Sequence, residues 1–512
     1  MSRFTQALGL AAGTICLALP SVGAVHAQVP TSATVPNPRF EEVRNTILEA
    51  ITGGEIPSMS VAVAKDGEII WEEAFGWANR EEMIPATPHT MYSMASISKP
   101  ITTTGLMILV ERGDVDLNAP VNRYIAPAQL TAFEGEASAA TVTHILNHTS
   151  GLPVHYSVFH EDEAARQPPA VTESIRRYGV LVHPPGAVYQ YANFGFGLAS
   201  HIISKVSGRP YADFMKTEVF LPLGMTHTSV DVGVGLEAYA AIRYDGDGEP
   251  LPFYISDHPG ASQVYSSAHD LIRFGLFHLG HTLPGQSQII SPESIQRMKQ
   301  DSDPNPENDR YGLGWFLSEN EHGYPIAWHT GSMRGTNTML KFVPGEDLAV
   351  VVLVNTASDL RQKIPNDIIG ILLPDYGEKW REARDRESDQ REAFEPGPEL
   401  LGAWQGHIIT YDDTVGVTLT IQPDGDVHVE IARQLKTLLD RVRFEDGFLS
   451  GTSYGTIPSS DALDHPHNIS YRMLLNGDLL SGYVTTGFTT DRSYGNASSY
   501  IRLERDVPGS SR

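Results

Sequence analysis

Cysteine is nearly absent from this chain of 512 residues, and the single one, Cys16, falls in an apolar N-terminal stretch. The opening, "MSRFTQALGLAAGTICLALPSVGAVHAQ", has one arginine, an apolar core from Ala7 to Leu19, and Val25-His26-Ala27 before Gln28. A basic start, a short apolar core and small residues before the cut predict a cleavable export signal over residues 1–27. The core is too short to span a membrane comfortably, and Cys16 lacks the small residue expected just before a lipidated cysteine. Cleavage after Ala27 leaves a mature chain without cysteine. Thiol catalysis, disulfides and cysteine-ligated metals are thereby excluded. The expected location is outside the cytosol, periplasmic or secreted.

Positive charge is also scarce: 37 Lys and Arg stand against 62 Asp and Glu, for a net charge of −25. That balance argues against a nucleic-acid partner and against a basic anchor on a membrane surface. It serves solubility and says little about a substrate. No glycine pattern for phosphate or dinucleotide binding stands out, and no internal repeat is evident, so no cofactor is expected. With 41% hydrophobic and 19% charged residues the composition is that of a globular protein, long enough for one large core and a second domain.

Along the chain, "SMSVAVAKDGEIIWEEAFG" (58–76) gives two apolar-rich runs around Lys65-Asp66-Gly67, a β-hairpin signal. "ITTTGLMILVE" (101–111) has the length and apolar content of a buried helix, with Pro100 suited to its first turn. The middle section, about 120–310, alternates helical stretches with Pro/Gly loops, and "FGFGLASHIISKVSG" (194–208) reads as another buried helix closed by Gly208. "PIAWHTGS" and "LAVVVLVN" read as strands, the second apolar throughout and therefore central. A hairpin near the start and strands near the end predict one antiparallel sheet built from both chain ends. Residues 378–395 become densely charged, and Pro396-Gly397-Pro398 follows, which marks a domain boundary. Beyond it, short alternating segments such as "VTLTIQ" and "VHVEIA" predict a small all-β barrel.

Three short strings carry chemistry: Ser96-Ile97-Ser98-Lys99, Tyr191-Ala192-Asn193 and His329-Thr330-Gly331. Ser96 and Lys99 fall at the N-terminus of the helix predicted after Pro100, where a three-residue spacing puts both on one face. The free N–H groups and dipole of that end favour developing negative charge. A serine hydroxyl is a poor nucleophile until a base takes its proton. Lys99 can do so, or tune the base, where burial makes its neutral form accessible. Tyr191 needs a cationic neighbour to act as a base, and Lys99 and His329 are the candidates to supply that field.

In this order the strings resemble the serine β-lactamase and penicillin-binding-protein superfamily, whose hallmarks are S-x-x-K, then S/Y-x-N, then K/H-[ST]-G. "HTSGLP" (148–153), "PPGAVYQYANFGFGLA" (184–199), "YGLGW" (311–315) and "VPGEDLAVVVLVN" (343–355) extend the likeness over about residues 55–356. The resemblance implies an α+β fold: an antiparallel sheet flanked by helices with an all-helical subdomain over residues 28–380. A charged linker (381–398) and a C-terminal barrel (399–512) follow, the barrel resembling lipocalin-like modules through "LLGAWQG" (400–406). It also implies catalytic roles for Ser96, Lys99 and Tyr191, with Tyr191 as the base. Asn193, His329, Thr330, Gly331 and Ser332 would bind substrate. The third string would lie on the sheet's edge strand, the backbone N–H groups of Ser96 and Ser332 would form the oxyanion hole, and Gly331 would let substrate approach the backbone. Thr330 and Ser332 would receive a terminal carboxylate.

Histidine in the third string, where most related β-lactamases carry lysine, points to enzymes acting on peptides containing D-amino acids. An esterase on the same scaffold, a true β-lactamase and a non-catalytic peptide or cell-wall binder are the alternatives. The partner expected is a small peptide, amide or ester. Two other patterns are set aside. Gly451-Thr452-Ser453-Tyr454-Gly455 fits the nucleophile elbow of α/β-hydrolases, but no helix is predicted after Ser453. His144 and His148 have an i,i+4 spacing, yet Ile145 stands where a metal-binding H-E-x-x-H has glutamate, so both read as structural and no metal is expected.

Overall fold

Residues 29–160, 168–232, 235–300, 310–386, 394–459, 466–489 and 493–506 are described in a computed structural model of the protein. The export signal expected over 1–27 lies outside them. Strand β1 (Thr31–Val35) and helix α1 (Glu41–Thr52) lead into the hairpin of β2 (Ser58–Lys65) and β3 (Glu68–Asn79). Asp66 and Gly67 turn that hairpin with φ of 53° and 81°, the left-handed pair that matches the twist of the flanking strands. Next come β4 (Tyr92–Ser93), a 3₁₀ turn over Ala95–Ile97 and α2 (Ser98–Glu111). Every residue of α2 from Ser98 to Leu109 is buried, as expected of a helix apolar on all sides.

The middle of the chain supplies β5 (Tyr156–His160), α3 (Asn193–Ser207), β6 (Tyr254–Ser256), the one-turn helix α4 (Pro259–Ser262) and β7 (Val264–Ser266). Gly208 ends α3 at φ 69°, the conformation in which glycine stops a helix at least cost. Strands β8 (Arg310–Tyr311), β9 (Phe316–Glu321), β10 (Tyr324–Met333), β11 (Thr336–Val343) and β12 (Leu348–Val354) follow. Helices α5 (Leu360–Leu372) and α6 (Pro374–Arg386) come after them. The region expected to be all-helical also holds short strand pairs, among them β7 between β4 and Thr228–Val230.

The main sheet is antiparallel, ordered β1-β3-β2-β12-β11-β10-β9-β8. Fully buried β12 lies at its centre and shows why the sheet forms: Ala349, Val351 and Leu353 join the core on the α2 and α3 side. Leu348, Val350, Val352 and Val354 join the core on the α1 and α5 side. Two-residue periodicity thus buries both faces. The third string is not on the edge strand as expected, since β9 and β8 lie outside β10. The β9 ladder nevertheless stops at Phe316↔Trp328, so residues 329–333 pair with β11 on one side and have no ladder partner among the described residues on the other.

The C-terminal strands, from Gly402–Ile409 to Ser493–Arg505, form a nearly closed barrel-like sheet around Trp404, Leu419, Met473 and Ile501. The charged stretch is helical in α6 as far as Arg386. Ser453 lies within a barrel strand, its Oγ 3.0 Å from Tyr471 Oη, away from any strand-to-helix turn. The barrel is joined to the rest of the chain by backbone pairing. Strand β5 lies between β6 and the start of the last barrel strand, with Tyr156↔Asn496 and Ser157↔Gly495 in register. Gln190 Nε2 also donates to Tyr483 Oη at 3.0 Å, and Tyr500 Oη to Glu134 at 2.9 Å.

Candidate active site

The segment before the first string is fastened from two sides. Met94 N–H donates to the Val264 carbonyl at 2.8 Å, and Val264 N–H to Ser98 Oγ at 3.0 Å. Between these anchors Ala95 has φ 44°, a sparsely populated conformation for a residue with a Cβ, held by its surroundings. It delivers Ser96 to the start of α2. Lys99, one turn on, is fully buried. Its Nζ donates to Ser96 Oγ at 2.9 Å and to the Ala261 carbonyl at 3.2 Å. Burial holds the ammonium well below the ordinary lysine value, because neither oxygen carries the charge that would compensate for lost water.

Tyr191 precedes the N-terminus of α3 and lines the same cleft as Ser96. Lys99 Nζ stands 4.8 Å from the centre of its ring, within cation–π range. Burial raises the phenol's pKa, and the nearby Ser96 hydroxyl opposes that only in part. Asn193 opens α3 beside them and faces the same cleft. His148, read from the sequence as structural, packs its ring 4.2 Å from that of Tyr191. Its Nδ1 accepts the Ala192 N–H at 3.0 Å. His148 is not on a helix face with His144: the helix between them ends at Leu146, His144 caps its start, and His148 has φ 63°.

The third string departs from expectation at His329 and at Thr330. His329 is buried, with Nδ1 against the Thr330 carbonyl at 2.7 Å and Nε2 against Tyr311 Oη at 2.9 Å. Burial, with the Lys99 charge second, pushes its pKa down to about 3. It is therefore neutral at ordinary pH and supplies no positive field to Tyr191. Thr330 pairs with Met339, and alternation turns both toward the α1 and α5 side of the sheet, whereas Leu340 opposite His329 faces the other core. Gly331 is required by packing: a Cβ there would run into the Met94 carbonyl oxygen and Thr338 Oγ1. Thr338 Oγ1 donates to that same Met94 carbonyl at 3.1 Å, so β10 and β11 are drawn against the nucleophile segment.

Ser96, Tyr191, Asn193 and Ser332 line one cleft of about 390 Å³. Of the predicted residues, these four share that surface, Lys99 lies beneath it, and His329, Thr330 and Gly331 shape it from β10 without lining it. Its other walls are Tyr156 and Val158 of β5, His258 and Ser262 around α4, and Met333 and Arg334. Arg334 pairs with Asp245 at 3.1 Å. None of these stands in a spacing pattern that marks it in the sequence. The cleft brings together a serine, a buried amine and a phenol, the parts of an acyl-transfer site.

Comparison with known proteins agrees with this geometry. A family model described as Beta-lactamase matches residues 43–369. Penicillin-binding protein 4* of Bacillus subtilis is 30% identical over 302 residues, covering 55% of this chain and 64% of that protein. Protein flp of Staphylococcus aureus (strain MRSA252) is 25% identical over 342 residues, covering 64% of this chain and 65% of its own length. The chain thus spans just under two thirds of these curated relatives. Among solved structures, an octameric penicillin-binding protein homologue from Pyrococcus abyssi has a TM-score of 0.58 at 22% identity, covering 89% of this chain and 99% of that one. A class C β-lactamase has a TM-score of 0.54 at 20% identity, covering 64% of this chain and 94% of that one. The match over 43–369 spans most of the chain and encloses all three strings: the protein belongs to the beta-lactamase family of serine hydrolases.

Proposed function

We propose that the protein is an exported serine hydrolase that forms an acyl-enzyme on Ser96 and acts on peptides or related amides containing D-amino acids. The observation that carries this reading is the 2.9 Å approach of a buried Lys99 Nζ to Ser96 Oγ. Neutral Lys99 takes the Ser96 proton as Oγ attacks the scissile carbonyl. The oxyanion forms against the backbone N–H groups of Ser96 and Ser332, each such donor being worth about two to three orders of magnitude in rate. Collapse breaks the carbonyl–nitrogen bond, and Tyr191, protonated at rest, passes its proton to the leaving amine and is reprotonated from Lys99. Water then attacks the acyl-enzyme and gives up a proton to neutral Lys99, which passes it to Ser96 Oγ as the ester bond breaks and the acid is released. Burial raises the phenol and lowers the amine, which favours Lys99 as the base over the sequence-based choice of Tyr191.

His329 in the third string and the likeness to a protein named for binding penicillin support the D-peptide assignment, and the N-terminal sequence supports export. The signal (1–27), hydrolase region (28–380), linker (381–398) and barrel (399–512) remain the proposed division. A panel of D- and L-aminoacyl amides, D-Ala-D-Ala peptides, nitrophenyl esters and nitrocefin tests the assignment on purified protein. Preference for the D-amides supports it. Turnover confined to esters or to nitrocefin replaces it with the esterase or β-lactamase reading, and no turnover at all leaves the non-catalytic binder.

A further inference from the structure

The cleft wall formed around α4 carries a second set of ionisable side chains that the acyl-transfer steps do not use. Asp257 is almost wholly buried between two histidines: His155 Nε2 lies 2.8 Å from Oδ2, and His258 Nδ1 lies against Oδ1. The Ser157 N–H adds a third hydrogen bond to the carboxylate at 3.1 Å. These contacts keep Asp257 ionised despite its burial, so both histidines present N–H to it. Burial outweighs the carboxylate in holding His258 below its ordinary value. A neutral imidazole with its proton on Nδ1 has a lone pair on Nε2. That nitrogen makes no hydrogen bond to the described residues, and His258 faces the cleft.

The position is fixed against α3. His258 packs over Gly197 of α3, where a Cβ would come within 3.0 Å of its own Cβ. Gly197 is one turn after Asn193, on the same helix face. His258 therefore stands next to Asn193, and three residues later Ala261 accepts the hydrogen bond from Lys99. On the same wall Ser262 Oγ is buried without a hydrogen-bond partner among the described residues.

We propose that His258, oriented by Asp257 and His155, is a specificity-determining residue whose Nε2 accepts a hydrogen bond from an N–H on the α-carbon of the substrate's acyl group. The site then selects α-aminoacyl or N-acyl-aminoacyl substrates over plain acyl esters. This deepens the proposed hydrolase reading and rests on it. A matched pair of esters isolates the effect: 4-nitrophenyl N-acetylglycinate and 4-nitrophenyl 4-oxopentanoate differ only by N–H against CH₂. The readout is the ratio of their kcat/KM values in one preparation, in which the active fraction cancels. The wild-type ratio, corrected for the esters' intrinsic reactivity in buffer, favours the N–H ester by about tenfold or more, the scale expected when a buried polar group loses its partner. His258→Phe and Asp257→Asn collapse that ratio, and His258→Gln, which keeps an acceptor, restores most of it. A ratio unchanged in His258→Phe overturns the proposal, as does a corrected wild-type ratio near one. Failure of the D-peptide reading shows separately, as refusal of D-aminoacyl amides while both esters are hydrolysed.

Discussion

Lys99 Nζ lies 2.9 Å from Ser96 Oγ and 3.2 Å from the Ala261 carbonyl oxygen, a buried amine set between two neutral oxygens. The pH dependence of the reaction follows from it. The ammonium cannot accept a proton, so kcat/KM rises with pH as Lys99 deprotonates. Because its folded-state value is lowered, that limb falls below the ordinary lysine value of about 10.4. Lys99→Arg keeps the charge and cannot deprotonate. It is expected to lose about two to four orders of magnitude in kcat/KM, the worth of a positioned base.

The same burial makes Lys99 a cost to stability. Its pKa is lower folded than unfolded, so the folded state binds fewer protons, and the penalty is largest below the folded value and fades as pH rises toward the unfolded one. Lys99→Met is therefore expected to abolish turnover and to raise the unfolding free energy at pH 7 by about 1–3 kcal/mol. Chemical denaturation at pH 7 and pH 10 checks both the sign and its decline with pH.

His329 is neutral and bonded to Tyr311. Replacing it by glutamine keeps a hydrogen-bonding side chain, so His329→Gln is expected to leave the position of the kcat/KM limb unchanged. A limb displaced by a full pH unit in that variant would assign a positive charge to the imidazole.

Gly331→Ala tests how β10 is held against the nucleophile segment. The new methyl meets the Met94 carbonyl and Thr338 Oγ1, so the strand must retreat and carry the Ser332 N–H with it. Overpacking of this kind costs about 1–3 kcal/mol, and misplacing an oxyanion donor costs about two orders of magnitude in kcat. Thermal unfolding and steady-state kinetics read the two effects separately.

The barrel reaches the cleft through β5, whose Tyr156 and Val158 line it and whose outer edge pairs with Asn496. Asn496→Pro removes an N–H from the strand paired with that edge. It is expected to raise KM severalfold while Ser96 still reacts with a fluorophosphonate at near wild-type rate.

Elements set by local pattern were legible in the sequence: Asp66-Gly67 named its hairpin, Gly208 its helix end, and the apolar run from Leu348 its central strand. The placement of β10 was not, because β9 reads "FLSENE" and lacks the alternation that announces a strand. The place of His148 beneath Tyr191 was not legible either, because it depends on φ 63° at one residue, which no spacing rule detects. Asp257 and His155 lie far apart in the chain and meet only when β5 pairs with β6. Their partnership is a product of topology rather than of any motif.

The central claim, that Ser96 is the nucleophile activated by Lys99, is tested most directly by intact-mass and peptide mass spectrometry after exposure to a fluorophosphonate. The account predicts one covalent adduct, mapped to Ser96, formed faster as pH rises and absent from Ser96→Ala. Folded wild-type protein that takes up no label, or takes it on another residue, would contradict it.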